Sequence, residues 1–408
     1  MGQMIEAKPE EVGLSSERLR RIDRWMEFQV GQNKLAGLIA LVARRGKVVH
    51  AECRGRMDAE AKRPMTEDTI FRIYSMTKPI TSTAMMMLYE EGRFQLDDPI
   101  SRYLPMFKSM RVFAGGSAAN YDTVPAKSEI TFKQLLTHTS GLSYGFLGSP
   151  ISPIYQANKF DFQTEEATLP EMMVRLAKLP LLAQPGTEWN YSVSTDVLGA
   201  LVETISGIPF EQFLRTRIFE PLGMKDTDFH VHAGKESRFA ANYNKGKEGG
   251  YELADDPKTS RYLRPRKLCS GGGGLVSTGA DYMRFCKMLW RKGELDGVRI
   301  LGRKTVEFMT VNHLNNGGDM ASMGMPRFSE ASYNGIGFGL GFSVMIDPAR
   351  AELIGSPGEY SWGGAASTAF WVDPKEDMIV ILLTQLMPSS SYPIRRELRV
   401  LTYQALID

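Results

Sequence analysis

The amino-acid sequence predicts an α+β fold in which an antiparallel sheet, built from both ends of the chain and flanked by terminal helices, faces a mainly helical segment. Three observations predict it. β-rich runs gather near the two ends, helical spacing both opens and closes the chain, and residues 75–224 read as helical segments broken by loops. The expected division is therefore an α/β domain from residues 1–74 and 225–408 and a mainly helical domain from 75–224, with the candidate site between them.

The elements follow in order. "LSSERLRRIDRWMEFQV" has a serine cap signal and apolar residues Leu19, Ile22, Trp25 and Met26 at helical spacing, which predicts an opening helix. "LIALVAR" and "KVVHAEC" flank Arg45-Gly46 and predict an antiparallel hairpin. "PEMMVRLAKLP" and "STDVLGALVETISG" are helical segments of the middle. Toward the end, "GFGLGFSVMI", "ASTAFWVD" and "DMIVILLTQ" read as three strands, the last two joined through "DPKED", and "RRELRVLTYQALI" returns to helical spacing.

A chain of 408 residues that is 43% hydrophobic can bury one large core or two joined ones. Lys+Arg at 49 against Asp+Glu at 47 leaves +2, with no basic block dense enough for a phosphate backbone, so nucleic acid is not an expected partner. Cys53, Cys269 and Cys286 have no metal or redox spacing and read as free thiols in a reducing compartment. The start "MGQMIEAKPE" lacks a basic and apolar leader pattern, and the run "MIVILLTQLM" is too short to span a bilayer. The expectation is a cytoplasmic protein with no membrane partner.

The chemistry gathers in "FRIYSMTKPITSTAMMMLYEEG". Pro79 is tolerated in the first turn of a helix, where its missing N–H has no intrahelical partner, and so places a helix start near Ser75. From Ile80 to Leu88 nearly every face is apolar or small, which predicts a helix buried all round, ended by Gly92. Ser75 is the one serine in the chain with a lysine three residues on, and that spacing sets its hydroxyl beside the Lys78 amine. A desolvated amine can have its pKa lowered enough to take the serine proton, and a helix N-terminus favours a developing oxyanion. The plainer alternative is an N-cap serine and a surface lysine.

Two further segments supply context. Tyr191, in "PGTEWNYSVSTDVLGALVETISG", stands just before a second buried helix, either as a pocket hydroxyl or as a core tyrosine. In "EYSWGGAASTAFWVD", Gly363 and Gly364 allow close backbone approach to a ligand, and the N–H of Ala365 could donate to an oxyanion; the alternative is a bulge or tight turn leading into a strand.

In this order and at these separations the three elements resemble the S-x-x-K, Y-x-N and K-T-G pattern of the serine β-lactamase and penicillin-binding-protein superfamily. Within it the chain is most similar to the family VIII carboxylesterases, which look like class C β-lactamases. "LLTHTSGL" (residues 135–142), "PGTEWNYS" (185–192), "PLGMKDT" (221–227) and "GGGGLVSTGADY" (271–282) extend the resemblance over nearly the whole chain. It implies the β-lactamase-like fold, Ser75 as acylated nucleophile, Lys78 as its proton acceptor, Tyr191 as a proton relay, and the backbone N–H groups of Ser75 and Ala365 as oxyanion hole. Two positions depart from the pattern. Val193 stands for the asparagine and Trp362 for the lysine of K-T-G, and both changes remove polar groups that would grip an acylamino, carboxylate-bearing substrate.

The reading is a serine carboxylesterase acting on short, neutral esters, with at most weak β-lactam hydrolysis and a small-molecule ester as its partner. A β-lactamase, a D-amino-acid peptidase or amidase, an acyltransferase and a non-catalytic ligand-binding protein are the alternatives. The expected substrate-binding residues are Trp362, Gly363, Gly364 and Val193, with Tyr144 and Phe146 from the aromatic segment "SYGFLGSPISPIYQANKFDF". No cofactor and no metal are expected. "GLSYG" (141–145) matches the G-x-S-x-G elbow around Ser143, but its flanks read as helix then loop, not strand then helix. His138 then reads as structural, as do His230 and His232, which have no third ligand. "MASMGMPRF" (320–328) is either a loop beside the pocket or core packing.

Overall fold

The computed structural model describes residues 4–160, 167–324 and 333–408. Its centre is an eight-stranded sheet. The labelled elements are helix α1 (Ser16–Gly31), strands β1 (Gly37–Arg44), β2 (Lys47–Asp58) and β3 (Arg63–Pro64), helices α2 (Thr77–Glu90), α3 (Ser194–Ser206) and α4 (Gly279–Trp290), strands β4 (Ile336–Phe338), β5 (Ser343–Met345), β6 (Tyr360–Gly363), β7 (Ala369–Asp373) and β8 (Met378–Thr384), and helix α5 (Ile394–Tyr403). The strands lie in the order β4-β5-β6-β7-β8-β1-β2-β3, all antiparallel to their neighbours, so the first hairpin inserts beside the last strand.

The period of two along a strand sorts the core into two layers. Leu38, Ala40 and Val42 of β1 join Val380 and Leu382 of β8 against Ile22 and Met26 of α1 and Leu398 of α5. Ile39, Leu41 and Ala43 face the other way with Ile379, Ile381 and Leu383, against Phe71, Ile80 of α2 and Phe285 of α4. All eight residues of β1 are buried, as a strand covered by helices on both faces requires. Its hairpin to β2 turns through Arg45 (φ +51°) and Gly46 (φ +76°), the left-handed pair that suits a tight two-residue hairpin.

The buried helix is as expected. Every residue of α2 from Thr77 to Leu88 is buried, and Ser15 caps α1 by accepting the Arg18 N–H. Three expectations are corrected. "GFGLGFSVMI" forms two short strands, β4 and β5, because Gly341 (φ +100°) turns against α2, where a Cβ would meet Ser82 Oγ at 2.3 Å. "EYSWGG" does not merely precede a strand: β6 is an inner strand, registered Ser361 on Ser343 of β5 and Trp362 on Phe370 of β7, and Gly364 then opens the tight turn into β7. Residues Arg111–Ser117 and Asn120–Pro125 form a hairpin within the helical segment; it is too exposed for an apolar alternation to reveal it.

Of "MASMGMPRF", Met320–Met323 is a short helix with Met320 buried in a side cluster, and residues 325–328 lie outside the described residues, as do 161–162 of the aromatic segment. Among the described residues no single helix is long and apolar enough to cross a membrane.

Candidate active site

Ser75 is delivered by a tight turn. Residues Tyr74–Met76 form one 3-10 turn ahead of α2, so the α-helix proper starts two residues after the serine. Tyr74 holds φ +44°, a left-handed conformation costly for a bulky residue, and its hydroxyl accepts from Asn242 Nδ2 at 3.0 Å. Ile73 N–H donates to the Leu275 carbonyl at 3.1 Å and Tyr282 OH donates to the Met76 carbonyl at 2.9 Å, which tie both sides of the serine to the sheet-side core.

Lys78, the second residue of α2 and three on from Ser75, is buried, and its Nζ reaches Gly272 O at 2.6 Å, Tyr144 OH at 3.0 Å and Ser75 Oγ at 3.4 Å. Burial lowers its pKa from the usual lysine range to about 7; Asp196 works the other way, favouring the ammonium. A neutral amine has two N–H donors and one lone pair. The Gly272 carbonyl can only accept and the Tyr144 hydroxyl can accept, so the third direction, toward Ser75 Oγ, is the one left for a lone pair to take a proton.

Tyr191 approaches the same oxygen from the other side. It sits three residues before α3, and its hydroxyl donates to Ser75 Oγ at 2.7 Å. Burial raises its pKa far above the ordinary tyrosine value, outweighing the hydrogen bond to Ser75, so the phenol keeps its proton at neutral pH. The ring lies 4.5 Å from Lys78 Nζ, 5.5 Å from the Trp362 ring and 5.1 Å from the His138 ring. His138 is itself buried, with Nδ1 3.2 Å from Ser192 Oγ, and its pKa is pushed well down by burial and then by Lys78; it is a structural neighbour, as expected.

A cavity of about 440 Å³ opens beside the serine, lined among others by Ser75, Phe146, Tyr191, Trp362, Gly363, Gly364 and Ala365. Ala365 follows β6 in the turn to β7, and among the described residues its N–H donates to no protein acceptor. The glycines that line this cavity also serve the protein's own packing. A Cβ on Gly363 would come within 2.8 Å of Arg395 Cζ, and one on Gly364 within 2.4 Å of Ile73 O, so both are small to admit protein and not only ligand.

Two other expected pocket residues move. Tyr144 stacks on Phe146 with ring centres 4.8 Å apart, but its hydroxyl is engaged with Lys78, so it belongs to the lysine's shell. Val193, the residue just before α3, is 2% exposed, lies in the main core and does not line the cavity. The contacts missed in the sequence are those of Gly272 and Asp196. Asp196 accepts from Ser270 Oγ at 2.5 Å and from Gly272 N at 3.0 Å. "GGGGLVSTGADY" held the signal, but nothing in the spacing tells which carbonyl meets the lysine. Ser143 is buried with its Oγ 3.2 Å from Ser149 Oγ, in a loop after a five-residue helix, so the elbow reading fails. The His230 and His232 rings lie tilted with centres 5.1 Å apart, and no metal-holding cluster occurs among the described residues.

The model of the β-lactamase family matches residues 22–404. Protein Rv1367c of Mycobacterium tuberculosis is 38% identical over 362 residues, covering 88% of this chain and 87% of that one. Esterase EstB of Burkholderia gladioli is 32% identical over 381 residues, 89% of each. Among solved structures, EstCE1, a hydrolase with promiscuous acyltransferase activity, superposes with a TM-score of 0.80 at 28% identity over 95% of this chain and 99% of that one.

Proposed function

The chain belongs to the β-lactamase family and is a serine hydrolase, and from that premise we propose that it is a carboxylesterase that carries its acyl intermediate on Ser75. The observation that carries the reading is the convergence on Ser75 Oγ of a buried amine whose pKa is lowered to about 7 and a phenol that stays protonated. Neutral Lys78 takes the Ser75 proton as Oγ bonds to the ester carbonyl carbon. The carbonyl oxygen gathers negative charge against the N–H groups of Ser75 and Ala365. Collapse breaks the C–O bond to the alcohol, which leaves with a proton from the Lys78 and Tyr191 pair. Water then adds to the acyl-serine by the same steps and releases the acid.

The cavity supports one substrate class. Trp362, Phe146 and Met345 give apolar walls, and with an indole where the related pattern has a lysine, short neutral esters fit better than a β-lactam carboxylate. A reducing, cytoplasmic setting matches the three free cysteines. The test is a phosphonate ester probe followed by mass spectrometry of the peptides. Modification of Ser75, and loss of p-nitrophenyl butyrate hydrolysis in Ser75→Ala, are expected; modification of Ser143 alone would end the assignment.

A second reading, transfer of the acyl group to an alcohol in place of water, is favoured by the likeness to EstCE1, a hydrolase with promiscuous acyltransferase activity. The same acyl-serine serves both, and adding a primary alcohol to the assay separates them: an acyltransferase yields the new ester in preference to the acid.

A further inference from the structure

The C-terminal helix reaches into the catalytic loop. Arg395, in the first turn of α5, donates from Nη2 to the carbonyl of Gly364 at 2.7 Å and to that of Thr368 at 2.8 Å. These two carbonyls bracket the turn that holds Ala365. The turn closes on itself through Gly364 N to Thr368 O at 2.8 Å and Ser367 N to Gly364 O at 3.1 Å, with Ser367 at φ +67°. It is tied to the segment after β8 by Ser367 Oγ donating to Leu386 O at 2.7 Å. Its Gly364 face lies against the carbonyl of Ile73, two residues before Ser75.

The Gly364 carbonyl and the Ala365 N–H are the two ends of one peptide unit. That unit is planar and trans, so its C=O and N–H point in opposite directions. A guanidinium gripping the oxygen therefore sets where the N–H on the other side points. Because the bond is charge-assisted, it also draws electron density toward that oxygen and makes the N–H a stronger donor. Gly363 is part of the same device, since any Cβ there would strike the guanidinium.

We propose that Arg395 is a positioning residue for the oxyanion hole: it orients and polarises the Gly364–Ala365 peptide whose N–H receives the charge developing on the ester carbonyl. The inference rests on the esterase reading of Ser75 and deepens it by assigning a residue from a helix that contributes no side chain to the reacting atoms. Arginine suits the task because both bonds leave one nitrogen whose N–H groups are fixed in the guanidinium plane; the ammonium of a lysine would supply the charge on freely rotating donors.

The experiment compares wild type with Arg395→Ala and Arg395→Lys on p-nitrophenyl butyrate. It also reads the infrared carbonyl stretch of the acyl-enzyme formed with a slowly deacylating ester. Loss of a direct oxyanion donor costs about 10²–10³-fold in kcat, and loosening one through its carbonyl is expected to cost about tenfold or more, with KM within about twofold. The acyl carbonyl should move to higher wavenumber in Arg395→Ala, since a weaker hole polarises it less, with Arg395→Lys in between. Should Arg395→Ala fail to fold, Arg395→Lys carries both measurements. Unchanged kcat or an unshifted carbonyl in the folded variants would overturn the role of Arg395 while Ser75 remained the labelled nucleophile. Retained hydrolysis in Ser75→Ala would instead remove the esterase reading beneath it.

Discussion

The Asp196 carboxylate accepts the Gly272 N–H at 3.0 Å. The carbonyl of that same glycine receives the Lys78 amine at 2.6 Å, so one peptide segment separates the acid from the base it influences. Asp196 is the charge that favours the Lys78 ammonium, against the burial that lowers its pKa to about 7. Lys78 must be neutral to take a proton, so kcat/KM for a neutral ester is expected to rise as pH climbs through about 7. Asp196→Asn removes the charge that stabilises the ammonium and should move that rising limb to lower pH. Profiles of wild type and variant with one p-nitrophenyl ester check this; a limb that stays in place would mean another group sets it.

Lys78→Ala is expected to lower kcat by about 10²–10⁴-fold, the usual contribution of a general base. Tyr191→Phe should also slow turnover severely, because it removes the hydroxyl 2.7 Å from Ser75 Oγ and no other group. Circular dichroism of both variants should match wild type. Near-normal rates at pH 7 would reduce these residues to packing roles.

Trp362→Lys is expected to shift the kcat/KM ratio toward carboxylate-bearing substrates by about tenfold or more. A hydrogen bond to a charged group is worth about 1.5–3 kcal/mol, and Trp362 lines the cavity that holds Ser75. Assays of a neutral ester and a chromogenic cephalosporin on both proteins measure it. A wild type that turns over the cephalosporin as efficiently as the ester would contradict the neutral-ester preference.

Val193→Asn restores the residue of the related pattern but not its effect. The side chain is buried in the core, so the amide would lose water without gaining a substrate contact. The expected result is a loss of about 1–3 kcal/mol in urea unfolding with no gain in β-lactam turnover. Increased turnover at unchanged stability would show that the position faces substrate.

Arg399→Met is expected to destabilise the fold by about 3–5 kcal/mol, the cost of stranding a buried charge. Arg399 donates to Glu359, and Tyr403 OH lies 2.8 Å from Glu359 Oε2 and 2.7 Å from Asp373 Oδ2, all buried or nearly so between the sheet and α5. Glu359→Gln combined with Arg399→Met should recover part of the loss. Unfolding curves of the single and double variants decide; equal losses would rule out the pairing as its origin.

The sequence by itself determined what depends on local order along the chain. Periodicity marked the opening helix, the β1–β2 hairpin, the β7–β8 hairpin and the wholly buried α2, because burial on one face or all faces is written in the spacing of apolar residues. The three-residue interval set Lys78 beside Ser75 for the same reason. Tertiary structure alone decided what meets across the chain. Tyr191 reaches Ser75 over 116 positions, Gly272 reaches Lys78 over 194, and Arg395 reaches Gly364 across the turn from β6 into β7 and β8. Carbonyl partners such as Gly272 and Gly364 carry no residue-type signal, since every residue has a carbonyl. Strand β6 is not legible in the sequence because its ladder comes from β5 and β7 on either side and not from its own alternation, and Val193 matches a pattern position yet lies in the core because a match of pattern does not say which way a side chain points.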